Sequence, residues 1–152
     1  MEIFLRWAGV TVFTLLSWRY LWNGRDEFSG KEWGLTLLKM VGLLVGFTLA
    51  MLILRGLHEI WPVIDRRLAV TIVVPPCMSL LAIQMNKILI AALHTIFARI
   101  LQFHQVHNTA ENYRKLSSSR YGSVSDRVWF IKWLLTFNVV LMLYGIWFGI
   151  HP

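Results

Sequence analysis

GLTLLKMVGLLVGFTLAMLIL, residues 34–54, decides the fold of this 152-residue chain, because Lys39 is the one charged residue in an otherwise apolar run. A run of about 20 predominantly apolar residues is long enough for a helix to cross the hydrocarbon core of a bilayer. Three more apolar stretches share this pattern, at residues 3–22, 68–101 and 128–150. We therefore predict an all-α, polytopic helical membrane protein with about four transmembrane helices.

The composition supports this class. Hydrophobic residues make up 57% of the chain, charged residues 15%, and the mean hydropathy is +0.57. A soluble domain is nearer half apolar, with about a quarter of its residues charged. The single cysteine, Cys77, excludes an internal disulfide and any site built from several cysteines. Residues 1–152 are predicted to form one helical membrane domain that needs no cofactor.

Cations and aromatic residues mark the predicted helix ends. The segment from Arg6 to Arg19 is only about 18 Å of helix, shorter than the roughly 30 Å hydrocarbon core. The first span therefore requires both arginines to bury their stems and to extend their charged groups to the interfaces. Tryptophans are typical of the same interfacial zone. The predicted membrane-interface anchors are Arg6, Trp18, Arg19, Trp22, Lys39, Arg66, Arg67 and Lys132.

The distribution of cations predicts the orientation. One side of the predicted membrane collects Arg19, Arg25, Lys31, Lys39, Arg114, Lys115, Arg120, Arg127 and Lys132. The other side holds Arg6, Arg55, Arg66 and Arg67. Cytoplasmic loops are enriched in Lys and Arg. We expect a bacterial inner-membrane protein whose loops 23–33 and 102–127 are cytoplasmic, with both termini outside.

The third apolar stretch is longer than one span and contains two interruptions, Pro75-Pro76 and Asn86-Lys87. Proline removes a backbone donor and disfavours helical geometry in the residue before it. Two arrangements follow. In the first, a kinked helix crosses the membrane over about 68–92, and the rest of the stretch emerges along the surface. In the second, residues 68–85 cross the membrane and residues 88–103 form an amphipathic interfacial helix. The second arrangement fits the spacing of the polar residues slightly better.

Glycine spacing and mid-span polar residues provide the candidate sites. Gly42 and Gly46 in the second span, and Gly145 and Gly149 in the fourth, are each four residues apart and lie on one helix face. Such pairs let two helix backbones approach closely in lipid. They are predicted helix-contact residues, within the chain or with another subunit. Polar residues inside spans point to ion or substrate paths, and the candidates are Asn86, Lys87 and Asn138.

Histidines near residue 105 provide a weaker candidate for a metal or catalytic site. His104 and His107 share one helical face and could bind a metal, although further ligands are needed. Arg99 and His104 form an Arg-x4-His pattern that resembles the ribonuclease signature of HEPN-type helical domains. The resemblance covers six residues and departs from that signature at Ile100, where a polar residue often stands. No catalytic residue is assigned.

These observations predict a membrane protein without a catalytic centre of its own. It would act as an accessory, immunity-like or assembly subunit, through its glycine faces and its basic third loop. Its expected partners are anionic lipid headgroups and a membrane protein or a second copy of the chain, whereas nucleic acid is disfavoured. The alternative is a small oligomeric channel or transporter. A membrane-bound enzyme acting on lipid or RNA through Arg99, His104 or His107 comes third.

Overall fold

The structure is a computed structural model that describes residues 2–23, 25–60, 66–107, 109–118 and 124–149. The side chains at 2, 66–69, 71, 116–118 and 124–127 lie outside the description, so the predicted anchors Arg66 and Arg67 are not placed. The described residues form five helices: α1 (Glu2–Asn23), α2 (Gly30–Ile60), α3 (Arg66–His107), α4 (Ala110–Ser118) and α5 (Val124–Gly149). The all-α prediction is confirmed.

The helices are longer than the predicted spans. α2 begins at Gly30 because Ser29 and Glu32 form a capping box. The Ser29 amide donates to Glu32 Oε2 at 2.7 Å, and the Glu32 amide donates to Ser29 Oγ at 3.4 Å. The segment predicted as a polar loop, 102–127, contains the last turns of α3 and the whole of α4.

A separate interfacial helix over 88–103 is not present, because α3 continues as one helix from Arg66 to His107. Both interruptions are accommodated inside it. The Ser79 hydroxyl donates to the Pro75 carbonyl at 2.6 Å, and the Asn86 amide donates to the Ala82 carbonyl at 2.8 Å. The Ser79 hydroxyl and the Asn86 amide therefore find partners without a break in the helix.

Helices α1, α3 and α5 pack into a three-helix bundle, whereas α2 packs against α3 alone among the described helices. Two pairs of side-chain contacts fix the directions. Phe13 with Trp147 and Trp22 with Thr136 join α1 to α5, and Ser79 with Trp147 and Asn86 with Asn138 join α3 to α5. These contacts make α1 parallel to α3 and antiparallel to α5. The buried apolar cluster of the bundle comprises Leu21, Ile83, Ile90, Val128, Val139 and Leu143.

α1 and α5 approach each other closely at Gly9. A β-carbon at this position would overlap the ring of Trp147. Trp147 is buried, and its indole Nε1 donates a hydrogen bond to Ser79 Oγ at 3.0 Å. Gly9 therefore gives Trp147 the room to reach across the bundle from α5 to α3.

Three of the described helices are long and apolar enough to cross a membrane: Gly30–Ile60, Ile72–His107 and Val128–Gly149. α1, which carries Arg6 and Arg19, is not among them. These helices indicate an integral membrane protein, and they correspond to the second, third and fourth predicted spans. The first predicted span forms a helix, α1, that packs in the bundle, and its crossing of the membrane stays a prediction.

Candidate functional site: a charge cluster at one end of the bundle

Two lysines and one aspartate meet where α1 ends. Asp26 lies in the turn between α1 and α2, and its Oδ2 is 2.7 Å from the ammonium nitrogen of Lys132 on α5. The other oxygen, Oδ1, is 3.5 Å from the ammonium nitrogen of Lys87 on α3. Both lysine side chains are more than nine-tenths buried, and the Asp26 side chain is 26% exposed. One carboxylate thus joins three parts of the chain.

The position of each group follows from the helices that carry it. α1 ends at Asn23, so the turn after it returns Asp26 to the end of the bundle. Lys87 lies one turn beyond Gln84, which is hydrogen-bonded to α1. Lys132 lies one turn before Thr136, whose hydroxyl accepts from Trp22 Nε1 at 3.1 Å and donates to the Lys132 carbonyl at 2.6 Å. The Lys132 ammonium is also 5.8 Å from the centre of the Trp22 ring.

Further polar contacts continue from this cluster into the bundle. Tyr20 OH donates to Gln84 Oε1 at 2.9 Å, and Asn138 Nδ2 lies 3.4 Å from Asn86 Oδ1. Interhelical hydrogen bonds of this kind hold helices together in lipid, where apolar burial does not drive association. The contacts of Ser79, Gln84, Asn86 and Lys87 therefore form a polar seam along α3, and each joins α3 to another part of the chain.

Four tryptophans form a group that meets the charge cluster at Trp22. The Trp22 ring lies 5.3 Å from Trp18 and 5.1 Å from Trp133, centre to centre, and Trp129 lies 6.1 Å from Trp133. A second aromatic group lies at the opposite end of the α1–α5 pair, where Trp7 packs against Phe148 at 4.9 Å. Tryptophan is enriched at the two membrane–water interfaces. The charge cluster thus lies at one of the two aromatic levels.

The structure brings together some of the predicted site residues and separates others. Asn86 and Asn138 are in contact, whereas Lys87 faces Asp26. Lys132 was predicted to extend its charge to the interface, but it is buried between helices and paired with Asp26. Arg6 is also buried. The predicted anchors Trp18, Arg19 and Lys39 lie on the surface.

The glycine pairs make no close packing contact with the residues that the structure describes. A β-carbon at Gly42, Gly46, Gly145 or Gly149 would meet nothing within 4 Å. Of the two alternatives for these pairs, contact inside the bundle is therefore not observed among the described residues. The glycine that the bundle does require is Gly9, which has no second glycine four residues away and so gave no signal in the sequence.

The histidine candidates lie at the end of α3. His107 stacks on Phe103 with ring centres 4.3 Å apart, and its Nδ1 lies 3.0 Å from the Phe103 carbonyl oxygen. Among the described residues, no group of three or more His, Cys, Asp or Glu side chains is arranged to hold a metal. Arg99 is exposed on the same helix.

Asp26 is the residue of the cluster that sequence reasoning missed. It lies between Arg25 and Glu27 in a turn with mixed charges, a context typical of solvated residues. Its importance comes from Lys87 and Lys132, which are 61 and 106 residues away in the sequence. The one available signal was the presence of lysines inside two apolar stretches, because a buried charge requires a partner.

No family model, curated protein or solved structure matches the chain. The class of the protein therefore rests on its own features. It is a helical membrane protein with a three-helix bundle, an additional apolar helix packed on α3, and a charge cluster at one end.

Proposed function

We propose that this chain is an accessory or assembly subunit, of the immunity-like kind, that recognises another membrane protein through α2. The observation that carries the proposal is the open face of α2 around Gly42 and Gly46. The basic region after α3 would add a second contact outside the membrane. The chain itself would carry no catalytic centre.

The packing of α2 supports this role. None of the residues in its most apolar membrane-length window is buried, whereas 39% of the corresponding window of α3 and 22% of that of α5 are buried. α2 contacts only α3 among the described helices, so most of its circumference is available to lipid or to another helix.

The energetics of glycine point in the same direction. Glycine in a helix interior costs about 1 kcal/mol relative to alanine, so the Gly42–Gly46 pair weakens α2. No close contact with the described part of this chain offsets that cost at either position. A second helix that packs against the two glycines would offset it, because small residues allow the close backbone contact that drives helix association in lipid.

Replacing Gly46 by Leu is expected to abolish the contact with the partner and to leave the isolated chain folded, since the position opens to free space. The readout is mass spectrometry of the complex purified in mild detergent, with the melting temperature of the chain measured alongside. Val41→Leu, an exposed apolar position on another face of α2, is the matched control.

The wild type should purify with a stoichiometric membrane-protein partner that Gly46→Leu loses and Val41→Leu keeps. Equal recovery of the partner, and an unchanged oligomeric state, in all three proteins would contradict the role of the α2 glycine face. Loss of folding in Gly46→Leu would contradict the open environment on which the proposal rests.

A small oligomeric channel or transporter is the second candidate, and the polar seam of α3 favours it. Polar side chains inside a membrane helix often mark an ion path. Each described seam side chain, however, contacts a residue of another part of the chain, namely Trp147, Tyr20, Asn138 or Asp26, which favours a role in holding the bundle together. Chloride flux through liposomes that contain the wild type or Lys87→Gln separates the channel from the accessory subunit.

We also propose that α1 crosses the bacterial inner membrane with the other three helices, which places both termini outside. Two features support four crossings: α1 packs against α3 and α5, and aromatic groups lie at both ends of the α1–α5 pair. The excess of cations in segments 23–33 and 102–127 supports a cytoplasmic position for both.

A reporter fused after residue 152 tests this topology. Alkaline phosphatase is expected to be active there, and a fluorescent protein that folds only in the cytoplasm is expected to stay dark. Fusions within 109–118 serve as the internal control and should give the opposite pair of results. Cytoplasmic behaviour at residue 152 would show that the number of crossings is odd or the orientation reversed.

A further inference from the structure

Lys87 and Lys132 bring two positive charges to a site that contains one carboxylate, Asp26. With all three groups ionised, the cluster has a net charge of +1. Both lysine side chains are more than nine-tenths buried, so water reaches their ammonium groups poorly. An uncompensated buried charge is costly, because the low-dielectric interior does not replace the solvation it has lost. The cluster therefore favours a second anion.

The donors of the site also outnumber its acceptors. Each lysine ammonium has three N–H donors. Asp26 offers one oxygen to each lysine, Oδ1 to Lys87 and Oδ2 to Lys132. One turn before Lys87 on α3, the buried amide nitrogen Gln84 Nε2 has no hydrogen-bond partner among the described residues. The N–H groups of this amide and of the two ammonium groups can donate further hydrogen bonds. A phosphate, whose oxygens accept several hydrogen bonds, suits them.

The level of the site in the bundle indicates where this group comes from. The Trp22 ring lies against Lys132 and in turn packs against Trp18 and Trp133, and tryptophans of this kind mark the headgroup zone. The proposed orientation makes this end cytoplasmic. Basic pockets between helices on the cytoplasmic side bind the headgroups of anionic lipids. The charge cluster thus lies at the depth where lipid phosphates are found.

A groove on the surface of α1 lies at the same level. It has a volume of about 320 Å³ and is lined by Leu16, Arg19, Tyr20 and Asn23. Tyr20 also donates a hydrogen bond to Gln84, so the groove adjoins the amide that lacks a partner. Leu16 is suited to an acyl chain and Arg19 to a phosphate oxygen.

We propose that Lys87, Lys132 and Gln84 form a binding site for a phosphate group, supplied by the headgroup of an anionic phospholipid or by free phosphate. Asp26 holds the two lysines together, and the phosphate neutralises the remaining positive charge. The site is independent of the α2 face proposed for the partner, because none of its residues belongs to α2.

The test uses the full chain purified in a neutral detergent. Its melting temperature is measured with added phosphatidylglycerol, with added phosphatidylcholine, and with inorganic phosphate against chloride at constant ionic strength. A ligand that binds the native state raises the melting temperature. We expect phosphatidylglycerol to raise it and phosphatidylcholine to leave it nearly unchanged. An equal rise with inorganic phosphate supports the phosphate site and identifies the free anion as a sufficient ligand.

Lys87→Gln is the informative variant, because it leaves one lysine paired with one aspartate. Without anionic lipid it should be at least as stable as the wild type, and it should lower the apparent affinity for phosphatidylglycerol about tenfold or more. Lys132→Gln is a second variant with the same expected loss of affinity. Lys39→Gln, which removes an exposed cation from α2, is the control and should keep the full response.

Two outcomes would overturn the proposal. In the first, Lys87→Gln and Lys132→Gln retain the full response to phosphatidylglycerol, which would assign it to other cations. In the second, wild-type liposomes conduct chloride, Lys87→Gln abolishes the flux, and neither lipid nor phosphate changes the melting temperature. That result would make Lys87 part of a conducting path rather than of a phosphate site.

Discussion

Asp26→Asn is expected to lower the free energy of unfolding by about 3–5 kcal/mol, because it leaves two buried ammonium groups without a carboxylate. The carboxylate contacts Lys132 at 2.7 Å and Lys87 at 3.5 Å, and the asparagine side chain keeps the shape but not the charge. The loss affects the contacts of the α1–α2 turn with both α3 and α5. Reversible unfolding in mixed micelles of dodecyl maltoside and dodecyl sulfate measures it.

Glu27→Gln is the matched control for Asp26→Asn. It removes the neighbouring acidic charge from an exposed position, and its effect should stay within about 0.5 kcal/mol. Adding Lys87→Gln to Asp26→Asn should recover part of the lost stability, since one of the two unpaired charges is then removed. An Asp26→Asn protein as stable as the wild type would show that the cluster does not stabilise the bundle.

Gly9→Ala is expected to cost about 1–3 kcal/mol, the usual cost of overpacking. The new methyl group would overlap the Trp147 ring, and that ring cannot move away freely because it is buried and hydrogen-bonded to Ser79. Either α1 separates from α5 or Trp147 leaves its site. The same unfolding measurement reports the loss.

Gly145→Ala separates this steric effect from helix propensity. A β-carbon at Gly145 meets open space, so the variant should be unchanged or more stable by up to about 1 kcal/mol. Gly9→Ala gains the same propensity and still loses stability because of the ring. Equal stability of the two variants would contradict the close packing of α1 against Trp147.

The helical class and the membrane character could be predicted from the sequence. They depend on long apolar runs such as residues 34–54 and on the rarity of charged residues inside them, which are local properties of the chain. The Ser29–Glu32 capping box could also be predicted from the sequence, because its two residues lie three positions apart. The partial exception is α1, whose two arginines keep it below the apolarity of the other long helices.

The continuity of α3 could not be predicted in the same way. Pro75-Pro76 and Asn86-Lys87 weaken a helix considered alone, and this favoured a break near residue 86. In the bundle, the side chains of Asn86 and Lys87 find partners on α5 and in the turn after α1. These tertiary contacts, together with the packing of α3 against α1, α2 and α5, override the local preference.

The sequence by itself determined that the chain forms long apolar helices and where along them the cations lie. Only the tertiary structure decided that Lys87 and Lys132 share Asp26, that Gly9 receives Trp147, and that the Gly42–Gly46 face stays open. The physical reason is distance along the chain. Apolarity and helix propensity act over a few turns, whereas the charge cluster joins residues 26, 87 and 132 through the packing of three helices.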